Sequence, residues 1–311
     1  MILTFSPNPT LERVALVEQF RTGQTQKPMR VATWAGGGGL REANVIRLLG
    51  GDPLALGFVG GRLGDLLIEA LERQQVPHAL TPVVASTRGS FITIDKERGF
   101  ISELPDPPPE FTEAEAAKLL SSLDERLPDA DLLVMSDAEE GNAASLFGEA
   151  IGRAKAAGVP IIADLSGDAL DLAVRLGVYV IQVSIKTLQK QTERSLAHDS
   201  AIVQEAQAVR AQGVDNVLVT LGDEGALLIG PDGAFRLQPP VVSHFNPVGS
   251  GETLSAAFAV RLLQTRDVVD AARFGCAAAS VNVTHDEPGY ATPGEVGVLY
   301  PRTTATPIVI R

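Results

Sequence analysis

Short apolar runs alternate with longer stretches of helical period along the whole chain. The spans 2–5, 54–59, 132–135, 161–163, 178–183 and 217–221 are almost continuously apolar, as expected of strands buried on both faces. Between them, Leu63, Leu66, Leu67, Ala70 and Leu71 fall on one stripe of an amphipathic helix. Thr112 and Glu115 form a capping-box signature for a helix running toward Leu123. A further helix is predicted over 142–157, stopped at Gly158 and followed by Pro160, and another ends near Gly213. Strand and helix in this order predict a doubly wound α/β architecture, a mostly parallel sheet flanked by helices on both faces.

Two stretches break the rhythm. Residues 13–34 and 82–100 mix polar and β-branched positions without a helical stripe, and 90–95 alternates like a half-exposed strand. They read as excursions that form a small β-flap, or else as long surface hairpins without function. Residues 105–109, Pro-Asp-Pro-Pro-Pro, stiffen the return. The resulting expectation is a single α/β domain over 1–311 with a lid formed by about 13–34 and 82–104.

Composition narrows the function. With 26 Lys+Arg against 38 Asp+Glu, the 311-residue chain has a formal net charge of −12, which argues against a nucleic-acid ligand but leaves room for a small phosphorylated one. No apolar run is long enough to span a bilayer, and the N-terminus shows no basic region followed by a cleavable apolar one, so neither a membrane partner nor a secretory signal is expected. Cys276 is the only cysteine, which fits a cytoplasmic setting, and it reads as a small buried helix residue. The four histidines lie far apart, so no metal site is expected among them.

Candidate chemistry gathers at glycine-rich turns. Gly36-Gly37-Gly38-Gly39 lies between a strand-like segment and a helix through 42–49, where backbone can approach an anion closely. It matches neither the dinucleotide fingerprint nor the Walker sequence, and alone it serves equally as a plain tight turn. Gly249-Ser250-Gly251-Glu252 opens a small-residue helix. Its successive amides would make an anion-binding concavity, and Glu252 behind them could take a proton from an attacking hydroxyl. Glu252 is equally explained as a first-turn acid favoured by the helix dipole. A third element, 217–228, reads as strand, glycine turn, strand.

In this order the pieces resemble the ribokinase/PfkB carbohydrate-kinase superfamily, nearest to its 1-phosphofructokinase and tagatose-6-phosphate kinase branch. The resemblance runs from Ser6-Pro7-Asn8-Pro9 through Gly36–Gly39, Leu49-Gly50-Gly51, 57–64, Ser86-Thr87-Arg88 and 217–228 to 246–252. It implies a ribokinase-like fold and transfer of the ATP γ-phosphoryl group to a sugar hydroxyl, assisted by Mg²⁺. By motif, it implies that Gly249, Ser250 and Gly251 form the anion hole and that Glu252 is the base. Thr220, Gly222, Gly225 and, in the segment after 178–181, Ser184 would line the nucleotide site. Gly37, Gly38 and Arg88 would face a sugar phosphate, with Glu12 near the sugar hydroxyls. A homodimer clasped through the flaps is implied at family level.

The chain departs from the family pattern at several positions. Glu252 stands for Asp, Gly38 for the loop Lys, Arg41 for Asn, Ser184 and Thr187 for an Asn and a Glu, Ser90 for a flap Asn, and Ser136–Gly141 replaces a small-residue turn. Arg41 is either a cation shifted along the loop to clamp substrate or a solvated helix-start residue. Two functional classes follow. One is an active kinase of a sugar or sugar phosphate; the other is a catalytically impaired member that binds a sugar phosphate or nucleotide as a sensor or docking protein. The intact glycines and the carboxylate at 252 favour the kinase.

Overall fold

The computed structural model describes residues 1–136 and 143–309, so positions 137–141 of the substituted turn lie outside the described residues. The chain opens with β1 (Ile2–Phe5), β2 (Thr10–Val17), β3 (Arg30–Gly36), α1 (Gly38–Leu48), β4 (Pro53–Val59), α2 (Gly61–Arg73) and β5 (His78–Pro82). There follow β6 (Arg88–Asp95), β7 (Phe100–Pro105), α3 (Glu113–Asp124), β8 (Leu132–Ser136), α4 (Ala143–Ala156), β9 (Ile161–Asp164), α5 (Gly167–Leu176) and β10 (Val180–Ser184). Then come α6 (Ile185–Thr192), α7 (Asp199–Arg210), β11 (Asn216–Thr220), β12 (Ala226–Gly230) and β13 (Gly233–Gln238). The last elements are α8 (Ser250–Thr265), α9 (Val268–Asn282), α10 (Pro293–Leu299) and β14 (Thr304–Pro307).

Ten strands make one sheet in the order β14-β13-β12-β11-β10-β9-β8-β1-β4-β5. Pairing is parallel from β5 through β11 and antiparallel beyond it, where 217–228 forms the expected hairpin. Alternate residues of each strand feed opposite cores. Leu133 and Met135 pack with α3, α4 and α5, whereas Leu132 and Val134 pack with α1, α8 and α9. That explains the near-continuous apolar runs: both faces are covered, and each fully buried Leu or Phe contributes about 1.5–3 kcal/mol. Strand order reverses between β1 and β8, the crevice where open α/β sheets place ligands beyond their carboxyl ends.

The predicted capping box is formed at α3, where the Thr112 hydroxyl accepts from Glu115 N and the Glu115 carboxylate accepts from Thr112 N. The strand predicted from 178 starts at Val180, although Val178 and Tyr179 carbonyls already accept from Asp215 and Asn216. A second, four-stranded sheet has the order β3-β2-β6-β7 and realises the predicted flap. Its strands reach from Thr10 to Gly36 and from Arg88 to Pro105, because Thr10 registers with both Gly36 and Arg88. Of the residues expected in the lid, Pro82 belongs instead to the end of β5, at the edge of the main sheet beside β4. Val14, Ile92 and Ile94 line the flap's inner face, with Trp34 and Val248 packed against them. The flap thus rests on the segment that leads into Gly249.

Candidate active site

The candidate residues collect at the carboxyl ends of the parallel strands. Ser6 follows β1, while Ser136, Asp164, Ser184 and Thr220 close β8, β9, β10 and β11. Across this edge lie the N-termini of α1 and α8, so backbone amides of two helices point toward the crevice.

The first glycine turn is closely packed. A Cβ on Gly36 would lie 2.0 Å from the Glu12 carboxyl carbon, and one on Gly38 would lie 2.4 Å from Ser136 Cβ. The run therefore makes room for side chains from β2 and β8. It also explains the missing loop lysine, since Ser136 fills the space that any side chain at 38 would enter. Gly37 caps α1 at φ 85°, and its N–H donates to Glu12 Oε1 over 3.2 Å.

The second turn has a different surrounding. Gly249 caps α8 in the left-handed region at φ 80°, and a Cβ there would lie 2.5 Å from Gly289 N. Gly251 is open, with Asp164 Oδ2 and Gln182 Nε2 the nearest side-chain atoms to its would-be Cβ, at 3.8 Å. Ser250 and Gly251 line a cleft of about 630 Å³ together with Ser184, Thr220, Gly222 and Gly225. Gly222 and Gly225 both take positive φ in the turn between β11 and β12. Apart from His244, the only charged or ionisable side chains among the described lining residues are Asp223 and Cys276, so a bound polyphosphate would be met mainly by backbone N–H groups. The cleft has the size of a small-molecule site, and Gly99 brings the β6–β7 turn of the flap to it. The Ser184 hydroxyl is also the N-cap of α6, accepting from Thr187 N over 3.0 Å.

A buried charge cluster lies beside the second turn. Glu252 stands in the first turn of α8, with its side chain 20% exposed, and it accepts from Arg41 Nη1 over 2.6 Å. Arg41 Nη2 donates to Glu12. The arginine is thus not a solvated helix-start residue: its side chain is 11% exposed and spans two carboxylates. Burial works against its charge, but Glu12 and Glu252 outweigh that and hold the guanidinium cationic. Burial likewise raises the Glu12 carboxyl, opposed by Arg41. Arg88 lies at the root of the flap, its Nε donating to Thr10 Oγ1 over 2.7 Å.

Several residues take parts that the motifs did not assign to them. Burial, followed by the charge of Glu252, pushes Asp164 up to about 7, while a 2.8 Å bond from Gln182 Nε2 opposes the rise. Gln182 also donates to Gly251 O, tying β10 to the amide turn. Burial drives the Glu42 carboxyl well above the ordinary range, and Ser136 Oγ donates to it. The fully buried Asn282 accepts from Gly289 N and Tyr290 N and donates to Val248 O, which clamps together the two segments flanking Gly249. Asp164 had a faint signal, a lone acid ending an apolar strand. Gln182 was an isolated amide inside another. Asn282 reads from the sequence either as an amide approaching the nucleotide or as an ordinary surface or buried one; it is buried, and its bracing of the turn has no local signal.

A helix-start amide turn, a carboxylate in its first turn and a cleft beside it form a phosphoryl-transfer geometry on a doubly wound sheet. Residues 10–294 match the pfkB family carbohydrate kinase. The chain belongs to that family. Phosphofructokinase-2 from Escherichia coli, in its tetrameric inhibited form, superposes with a TM-score of 0.87 at 25% identity, covering 97% of this chain and 98% of that one. The same enzyme has been solved in complex with fructose-6-phosphate. A possible 1-phosphofructokinase from Thermotoga maritima gives a TM-score of 0.89 at 18% identity over 99% of each chain. Ribokinase from Giardia lamblia gives 0.80 at 20% identity over 96% of this chain and 98% of that one. The latter two likenesses speak for the ribokinase-like fold. Membership of the pfkB family makes the protein a carbohydrate kinase. No helix among the described residues is long and apolar enough to cross a membrane.

Proposed function

We propose that this pfkB family kinase transfers the γ-phosphoryl group of ATP to a hydroxyl of a sugar phosphate, in the manner of the phosphofructokinases it resembles. The observation that carries this reading is the pairing of the amide turn at Gly249, Ser250 and Gly251 with a first-turn carboxylate at Glu252, beside a cleft of nucleotide size. The nucleotide lies along Ser184, Thr220, Gly222 and Gly225, with its terminal phosphates at the α8 N-terminus. The amides neutralise charge that develops on the transferring group, and Glu252 accepts the hydroxyl proton. The acceptor lies between the flap and the first glycine turn, near Glu12, Gly37, Gly38 and Arg88. Its phosphate is met by Arg88 without help from a loop lysine.

Mg²⁺ suits the donor chemistry, because this ion is usually carried by substrate phosphates with one or two carboxylates rather than by an all-protein cage. Asp164 is one such carboxylate, and buried Glu42 Oε2 has no hydrogen-bond partner among the described residues. When bound, the ion neutralises phosphate charge. The protein's own part is to hold Asp164 through Gln182 and to keep water from the reacting oxygens by closing the flap. The one-domain organisation with a mobile lid belongs to this reading, as does a cytoplasmic setting. A homodimer through the flap belongs to it too, since Phe91 and Leu104 face each other in register and are exposed on the outer side of that sheet.

A coupled phosphotransfer assay over fructose-6-phosphate, fructose-1-phosphate, tagatose-6-phosphate and the free sugars tests the reading. Turnover is expected with a phosphorylated acceptor, falling at least about a hundredfold in Glu252→Gln. Undiminished turnover in that variant removes Glu252 as the base.

A further inference from the structure

Three elements that must move or hold together during phosphoryl transfer meet at one buried side chain. Arg41 projects from the first turn of α1. One arm reaches Glu12 on β2, the strand that roots the flap, and the other reaches Glu252 at the start of α8. Its stem is held as well. A Cβ on Gly289 would lie 3.1 Å from Arg41 Cβ, and Gly289 is itself fastened by Asn44 Nδ2 to its carbonyl and by Asn282 Oδ1 to its N–H. Glu12 has a second anchor in Gly37 N–H. A guanidinium is a rigid planar fork, so fixing one carboxylate on it fixes where the other can sit.

We propose that Glu12, Arg41 and Glu252 form a positioning relay through which the root of the flap sets the placement of the catalytic carboxylate. The inference rests on Glu252 being the base. Arg41 touches neither nucleotide nor acceptor in this role and is a positioning residue, distinct from a substrate clamp. The added methylene of Glu252 and the arginine at 41 belong together: the longer acid reaches across the crevice to a cation that a shorter one would not meet. With the flap strand in place, the carboxylate is held toward the crevice. When β2 shifts, Arg41 follows Glu12 and draws Glu252 with it.

The test is steady-state kinetics with ATP and the accepted sugar phosphate on the full-length protein and on Arg41→Met, Arg41→Lys, Glu12→Gln and Arg41→Met/Glu12→Gln. Thermal unfolding is measured on each. Arg41→Met is expected to lower kcat about a hundredfold while KM for both substrates stays within about twofold, since misplacement by about 1 Å costs that much. Arg41→Lys keeps the charge but not the fork and should lose about tenfold, as should Glu12→Gln. The double variant should be no slower than Arg41→Met alone, because Glu12 acts through the arginine. A fall in kcat with KM unchanged for both substrates is the readout that a general loss of structure would not give. Should Arg41→Met fail to fold, Arg41→Lys and Glu12→Gln decide the matter through the split between kcat and KM. A kcat within about threefold of the unaltered protein overturns the relay, as does a rise confined to KM for phosphorylated acceptors, or losses that multiply in the double variant. Absence of turnover in the unaltered protein across the acceptor panel overturns the proposed function itself, and the relay with it.

Discussion

The two glycine turns at the crevice share a residue type and little else. At Gly36 and Gly38 glycine is required because the Glu12 and Ser136 side chains fill the space a Cβ would take. At Gly249 it is required by a left-handed backbone pressed against Gly289, while Gly251 stays open toward the cleft. The first turn uses its glycines to admit protein side chains; in the second the Ser250 N–H closes the turn on the Pro247 carbonyl, and Gly251 is left open toward the cleft. A glycine run therefore marks close approach, and what approaches is decided by the neighbouring strands.

Substitutions at these positions sharpen the contrast. Gly249→Ala adds a Cβ at positive φ against fixed backbone and should cost about 3 kcal/mol of stability, with activity lost, as read by denaturant unfolding. Gly38→Ala collides with Ser136 and should cost about 2 kcal/mol, recovered in large part by adding Ser136→Gly. No recovery in that pair would mean the first turn is shaped by something other than the side chain it meets. Asp164, on the open side of the second turn, offers a pH handle. Its folded form holds a proton up to about pH 7, whereas the unfolded chain releases it near the ordinary 3.8. Stability from this group therefore falls as pH rises between about 4 and 7, and the loss is complete above that window. Asp164→Asn should flatten this slope and raise stability at pH 8 by about 1 kcal/mol, allowing for the group's partial exposure, while phosphotransfer drops. Gly251→Ala should change stability by less than about 0.5 kcal/mol, since its Cβ meets nothing closer than ordinary contact, yet weaken nucleotide binding measured by calorimetry.

Much of this was legible beforehand. The apolar spans, the capping box, the flap and the hairpin after 217 follow from local periodicity, and each took the expected form within a few residues. The flap boundaries shifted because Thr10 pairs with two strands at once, a register that no local pattern states. The amide turn and Glu252 were readable from spacing, since they are contiguous. Arg41 was not readable in the same way. Its alternatives were a substrate cation or a solvated residue, yet both arms are engaged by acids 29 positions before and 211 positions after it.

Taken alone, the order of residues determined the layered architecture, the helix that presents the amide turn and the acid just behind it, because hydrophobic period and backbone conformation are local properties. Only the tertiary structure decided which charges neutralise one another, why position 38 has no room for a side chain, and that Asn282, Gln182 and Gly289 brace the turn. Those outcomes depend on distances between strand ends and helix starts far apart along the chain. In a buried setting of low polarity, such distances determine which ionised groups find a partner.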